Sequence, residues 1–195
     1  MAESLPAPLQ AALSDLARWL KHSKIPAVVI GGVAASVLGR PRLTQDIDTL
    51  AIVPEAKWKD LVEAAAQFGI VTRIQDALAF AQRSRVLLMR HTASGIDLDI
   101  TLGGLPFEEA VVAKGAMCDI GGLQVPLPRV QDLLVMKAVA RRPKDIEDIR
   151  ALLAANPDAD IAEARRWIRE FATAMGMSDM LDEFDKLVEQ RSPKR

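Results

Sequence analysis

A chain of 195 residues, 50% of them hydrophobic, can bury one generous core or two small lobes, which excludes a largely disordered protein. A formal net charge of −1 excludes a uniformly basic coat for nucleic acid, though not a local basic patch. The single cysteine, Cys118, excludes an intrachain disulfide and a cysteine-built zinc site, and fits a reducing, cytoplasmic setting.

The first element in chain order is a helix over 6–22, predicted by Leu9, Leu13, Leu16 and Leu20 recurring at helical spacing behind Pro6. Residues 27–30 are wholly apolar, end at a glycine pair and read as a buried strand. The small residues of 32–38 predict a short helix, 39–43 a turn, and 46–53 a second strand. Residues 54–68 open on a proline and read as a strong helix. A helix near 74–83 comes next, then strands over 86–89 and 96–102 joined by the turn at Ser94 and Gly95. Residues 106–114 read as a short helix and 123–127 as a last edge strand. From Arg129 the texture is helical only, over 129–141, 144–154, 160–175 and 178–190. The expected fold class is therefore α+β, or mixed α/β: a small sheet flanked by helices over 1–128, then an all-helical lobe over 129–195. No apolar run approaches the roughly 20 residues of a membrane span, and the N-terminus lacks the pattern of a signal peptide.

Residues 31–50 carry the chemistry. Gly31 and Gly32 close a strand and open a helix, which leaves bare backbone N–H groups at the positive end of a helix dipole, a setting for an anion such as phosphate. The next strand begins Asp46-Ile47-Asp48. Residues two apart on a strand share a face, so both carboxylates point one way and repel each other unless a cation lies between them. A hard ion such as Mg²⁺ takes such oxygens and completes its shell with water and phosphate. A second pair, Asp97 and Asp99, lies on the later strand. If that strand pairs near Asp46, one of the two becomes the third carboxylate of a cluster suited to two ions about 4 Å apart, which flank a displacement at phosphorus. Each piece alone has a plainer reading: a DxD is often a solvent-facing strand edge, and a glycine pair is often a turn. The combination points to phosphoryl chemistry.

At Gly31-Gly32, followed by Arg42-x-Thr44-x-Asp46-x-Asp48, the sequence resembles the DNA polymerase β-type nucleotidyltransferase superfamily, and within it the AbiEii-like, MenT-like toxins of type IV toxin–antitoxin systems. The stretch from Leu98-Asp99 to Pro106-Phe107-Glu108 resembles the same subgroup and selects Asp99 over Asp97. A third match runs through Asp132, Lys137, Arg141, Lys144, Asp145 and Asp148. The resemblance implies a nucleoside triphosphate in the cleft between the two lobes, with its phosphates on Gly31 and Gly32. It implies two Mg²⁺ ions on Asp46, Asp48 and Asp99, Lys137 reaching the phosphates, and Asp145 shaping the site. Arg42 and Thr44 belong to the nucleotide-binding signature. Many members have Gly-Ser where this chain has Gly-Gly, so any hydroxyl contact to phosphate falls to Ser36.

On this reading a nucleoside monophosphate passes to an acceptor hydroxyl and pyrophosphate leaves. The subgroup implies a tRNA end as acceptor and a cognate antitoxin as partner. The alternatives are a small-molecule or protein acceptor, or a non-catalytic member that binds nucleotide or a partner. Without the family, Lys137 reads as a lysine snorkelling beside an apolar helix face, and residues 144–150 as a solvated charge run. Arg141 and Arg142 are candidates for a nucleic-acid backbone. His22 and His91 have no spaced partner for a metal, and Trp19, Trp58 and Trp167 read as core residues.

Overall fold

The computed structural model describes residues 5–191, so the outer ends of the two expected divisions, 1–4 and 192–195, lie outside it. The chain forms two compact units: one runs to Val33 and resumes over Leu43–Pro128, the other takes Ala34–Arg42 and the chain from Arg129. The fold is α+β, as its sequence patterns predict.

The first unit is built on five strands: β1 (Ala27–Val29), β2 (Asp46–Ile52), β3 (Ile70–Thr72), β4 (Val86–His91) and β5 (Asp97–Gly103). They lie in the order β1-β2-β5-β4-β3, with β2 and β5 parallel and the other neighbours antiparallel. Period-two alternation gives the sheet two different faces. On one, Ile47 and Ala51 of β2, Leu87 and Met89 of β4, and Leu98, Ile100 and Leu102 of β5 are fully buried. Helix α1 (Ala7–His22) is tied to this face, where His91 Nε2 lies 2.9 Å from Asp15 Oδ2. Its stripe of Leu9, Leu13, Leu16 and Trp19 is buried, at about 1.5–3 kcal/mol for each large side chain removed from water. The Trp19 indole donates to the Leu61 carbonyl of α3 (Trp58–Ala65) at 3.0 Å, which satisfies its one polar atom in the core.

Three elements depart from expectation. Strand β3 has no counterpart among the predicted elements, since three residues are too few for alternation to show. The helix expected near 74–83 begins only at Ala77, as α4 (Ala77–Ser84). Residues 123–127 are not an edge of the main sheet: β7 (Leu123–Leu127) pairs with the unforeseen β6 (Ala116–Ile120) in a separate hairpin. Its turn places Gly121 at φ 62° and Gly122 at φ 88°, the doubly positive pair that a two-residue type I′ turn requires.

In the second unit, α6 (Val130–Ala140), α7 (Pro143–Ala155), α8 (Ile161–Met175) and α9 (Asp179–Glu189) enclose Leu133, Leu134, Ile149, Leu152, Ile168, Met180 and Phe184. Arg129 fastens α6 to α8 by gripping both Asp132 and Glu163. Helix α2 (Gly31–Leu38) is divided between the units after Val33. Its C-terminal end lies on α7: a Cβ at Gly39 would meet the Leu152 amide nitrogen at 3.3 Å, and Asn156 donates to the Leu38 carbonyl at 2.6 Å. Among the described residues no helix is long and apolar enough to cross a membrane.

Candidate active site

The other face of the sheet carries the acids. Strand order makes β2 and β5 neighbours although α3, β3, α4 and β4 separate them in sequence, and their parallel register sets Asp46 opposite Asp97 and Asp48 opposite Asp99. Neighbouring strands lie about 4.8 Å apart, so four carboxylates form a two-by-two block at the start of both strands. Thr44 Oγ1 lies 3.1 Å from Asp46 Oδ1 and orients that carboxylate.

Gly31 fits this block for two independent reasons. Its φ of +62° lies in the left-handed region, and a Cβ built on it would fall 1.8 Å from Asp48 Oδ2. The Ile30 amide donates to the Asp48 carbonyl at 2.9 Å, which locks the end of β1 to β2. The first turn of α2 therefore begins directly against Asp48, with its orphan N–H groups beside the acids.

Two arginines answer the acids within the same unit. Arg73 bridges Asp97, at 2.6 Å, and Asp99, while Arg90 Nε bonds Asp97 Oδ1 at 2.7 Å. Hydrogen bonding to Arg90, with help from Arg73, outweighs burial and holds the Asp97 carboxyl below the usual range. Asp99 moves the opposite way: burial, with the charges of Asp48, Asp46 and Asp97, outweighs Arg73 and raises its carboxyl. Asp97 is thus compensated by two arginines, whereas Asp99 has Arg73 alone among the described contacts.

Among the described residues no three His, Cys, Asp or Glu side chains stand in the arrangement of a metal site, and Arg73 pairs with both Asp97 and Asp99. The donor set fits a hard divalent ion all the same. Its ligands are carboxylate oxygens, Asp48 and Asp99 are in register, and Asp46 shares their face.

In the second unit, the residues of the third motif form a buried chain of alternating charge. Lys137 Nζ lies 2.9 Å from Asp145 and 2.7 Å from Asp148, with the three side chains almost wholly enclosed. Arg42 grips Asp148 through Nε at 2.8 Å and Nη2 at 3.1 Å, and Arg142 reaches Asp145 at 2.6 Å. Burial would raise the Asp145 and Asp148 carboxyls, but the arginine and lysine bonds prevail and hold both below the ordinary range. Lys137 is therefore no surface snorkel, and residues 144–150 are only in part a solvated run: Asp145, Asp148, Ile149 and Leu152 form one buried stripe of α7 at helical spacing. Ser36 holds the signature loop, its hydroxyl accepting from the Arg42 amide at 3.0 Å and donating to the Arg42 carbonyl at 3.2 Å.

Of the residues predicted for the site, Gly31, Thr44, Asp46, Asp48 and Asp99 come together in the first unit, while Ser36, Arg42, Lys137 and Asp145 lie in the second, with Gly32 in the first turn of α2. Arg141 and Arg142 are engaged by acids: Arg141 by Asp179 and Glu183, Arg142 by Asp145. Glu108 explains the Pro-Phe-Glu motif, since its carboxylate accepts from the Gly104 and Leu105 amides at 2.8 and 2.9 Å and caps α5 (Pro106–Lys114) just past β5. Both His91 nitrogens are used, one toward Asp15 and one toward Ser94. His22 meets Phe68 in a tilted ring contact, and Trp167 is half-buried under the Arg166 guanidinium. Arg73 and Arg90 are partners of the acids that sequence reasoning misses.

A family described as a nucleotidyl transferase of unknown function (DUF2204) matches residues 9–183. No curated protein matches the sequence. Among solved structures, the chain is similar to an antigenic nucleotidyltransferase-like protein from Paracoccidioides brasiliensis, with 16% identity and a TM-score of 0.57 over 93% of this chain and 94% of that one. It is similar to the antibiotic-resistance factor ANT(2'')-Ia, with 13% identity and a TM-score of 0.60 over 90% of this chain and 97% of that one. It is also similar to the lincosamide antibiotic adenylyltransferase LnuA, with 14% identity and a TM-score of 0.54 over 78% and 98% of the two chains. At these identities the likeness is one of fold.

Proposed function

The chain belongs to this family of nucleotidyl transferases, and on that premise we propose that it transfers a nucleoside monophosphate from a nucleoside triphosphate to an acceptor hydroxyl, using Mg²⁺ held by Asp46, Asp48 and Asp99. The observation that carries the reading is the β2–β5 register, which puts Asp48 and Asp99 side by side with Asp46 on the same face. On this reading Asp46, Asp48 and Asp99 would hold the two ions. Mg²⁺ held there supplies positive charge to the phosphate oxygens as negative charge builds on them.

The protein's own groups do the rest. The N–H groups at Gly31 and Gly32 receive phosphate oxygens at the positive end of α2. The acceptor oxygen attacks the α-phosphorus, the bond from that phosphorus to the oxygen bridging it to the β-phosphate breaks, and pyrophosphate leaves in line. The acceptor proton passes to Asp99, the carboxylate that the β2–β5 register sets beside Asp48. Arg42 and Thr44 hold the signature loop, Ser36 fixes its turn, and Asp145 and Lys137 support Arg42 through Asp148. For Lys137 to meet phosphate, as the resemblance implies, it would have to exchange a buried aspartate for a phosphate oxygen.

Two acceptors are in contention. The AbiEii-like, MenT-like resemblance implies a tRNA end and, with it, a toxin and a cognate antitoxin. The engagement of Arg141 and Arg142 by acids favours a small hydroxyl compound, because the two arginines nominated for an RNA backbone already have partners. Purified protein with Mg²⁺, each α-labelled nucleoside triphosphate, and either total RNA or a small-metabolite extract tests the reading. Pyrophosphate release with a labelled product, lost in Asp48→Asn, is expected. Bound nucleotide that neither pool turns over would leave a nucleotide-binding member without activity.

A further inference from the structure

Arg73 follows β3 by one residue, and its amide donates to the Leu88 carbonyl at 2.9 Å. That bond extends a row running Asp48, Asp99, Leu88, Arg73 across four strands of the acid face. Two strand spacings, about 10 Å, separate its backbone from that of Asp99, a distance an extended arginine and an aspartate span together. The residue between them is the apolar Leu88, which offers the guanidinium no partner and leaves the way open. Arg73 therefore reaches over β4 and ends on Asp97 and Asp99 at once. Its Nε is buried without a hydrogen-bond partner, so the side chain is held here for its charge and not by a complete set of bonds.

The charge pattern points the same way. Asp97 and Asp99 draw in two guanidiniums, Arg73 and Arg90, with Asp46 and Asp48 beside them on the same face. Arg90 is more exposed and bonds Asp97 alone. Arg73 is thus the sole cation among the described contacts that reaches Asp99.

We propose that Arg73 is a positioning residue that stands in for a divalent cation at Asp99 in the metal-free protein and must release that carboxylate before an ion can take it. The inference rests on the proposed metal-binding role of Asp46, Asp48 and Asp99. Its physical content is competition: a fixed guanidinium and a mobile divalent ion share one anion, so the arginine lowers the apparent affinity for the ion while keeping the empty cluster from repelling itself apart. The two effects have opposite signs, and that separates this role from simple structural support. A structural arginine would stabilise the fold without suppressing ion binding.

The test is a Mn²⁺ titration, by electron paramagnetic resonance of the free ion and without nucleotide, of the wild type, Arg73→Gln, Arg73→Lys and the double variant Arg73→Gln with Asp99→Asn. Arg73→Gln should bind Mn²⁺ at least about tenfold more tightly than the wild type, since an opposite charge at this range shifts a carboxylate's preference by one or more powers of ten. Arg73→Lys should stay near the wild type, and the double variant should lose the gain. In metal-free buffer Arg73→Gln should melt below the wild type and recover more of its melting temperature on adding Mn²⁺. Unchanged or weaker Mn²⁺ binding by Arg73→Gln overturns the role of Arg73. If nucleotide transfer persists in that case, the proposed function stands and only this inference falls. If no variant binds Mn²⁺, with or without nucleoside triphosphate, both fall together.

Discussion

Lys137 Nζ bonds Asp148 Oδ2 at 2.7 Å with both side chains withdrawn from water, and Arg42 of the signature loop grips the same carboxylate. The relationship links the two stretches of sequence that most resemble a nucleotidyltransferase, residues 31–50 and 130–149, through one buried anion. It gives Asp148, which the sequence presents as part of a charge run, the task of holding Arg42.

Lys137→Ala leaves Asp145 and Asp148 short of a buried cation and should cost about 3–5 kcal/mol of stability, the usual result of removing one partner from a buried pair. Urea denaturation measures it, and isothermal titration with Mg²⁺ and a non-hydrolysable nucleotide runs beside it. Full stability with a large loss of nucleotide affinity would instead put the lysine on the phosphates, as the resemblance implies.

The same network sets the acid limit of the fold. The Asp145 and Asp148 carboxyls are depressed in the folded protein, so the unfolded chain binds protons first. Their contribution is complete above the unfolded value of about 3.9 and drains away as pH falls through the folded values. Denaturation midpoints should therefore change little on this account between pH 8 and 5, then drop steeply below about pH 4. Asp148→Asn should flatten that drop from a lower plateau, and an acid limb as steep as the wild type's would show that other carboxyls control it.

The fold class was legible because its signals are local: leucine spacing in α1, alternation in β5, the glycine pair that opens α2. The pairing of Asp46 and Asp48 on one face was legible for the same reason. Which acids stand opposite them depends on β2 lying next to β5, a crossover that no window of sequence contains. Arg73 was hidden by the same distance, two strands away behind a three-residue β3. Without the family, Lys137 reads as a snorkel because its partners lie on the next helix, on a stripe disguised by exposed Lys144, Glu147 and Arg150.

Asp46→Asn, Asp48→Asn and Asp99→Asn should each reduce nucleotide transfer by at least about 10²-fold, as expected when a group worth several kcal/mol in the transition state is lost. The folded-state carboxyl of Asp99 is raised, partly by the charge of Asp48. Folding is therefore penalised above that raised value and eased below it, so Asp48→Asn in metal-free buffer should melt at or above the wild-type temperature. A variant that loses stability while keeping full activity per folded molecule would remove these residues from the chemistry.

Gly31→Ala combines a left-handed φ with a Cβ that overlaps Asp48. The backbone strain alone is worth about 1–3 kcal/mol, and relief of the overlap must displace the carboxylate. Melting temperature and activity should fall together, whereas Gly95→Ala, whose Cβ would meet nothing within 4 Å, should lower only the former. Retention of wild-type activity in Gly31→Ala would mean that Asp48 tolerates being moved, and that the glycine pair is a turn and nothing more.

The acceptor is decided by salt. Binding to nucleic acid releases counterions, and the slope of log K against log salt counts the phosphates neutralised, at about 0.7 per contact for single strands and 0.9 for duplex. Arg141 is engaged by Asp179 and Glu183, and Arg142 by Asp145, which leaves exposed Arg40 and Lys144 as the cations of this region open to phosphate. Two such contacts predict a slope no steeper than about −2, and hence negligible RNA affinity at physiological salt. The expected outcome is product in the small-metabolite pool and none on RNA. Arg141→Glu would then disturb the α6–α9 ion pairs and the melting temperature without altering which pool is labelled. A slope of about −4 or steeper, with label on an RNA end that Arg141→Glu abolishes, would show that these arginines leave their acids for phosphate, and would restore the tRNA end as the acceptor.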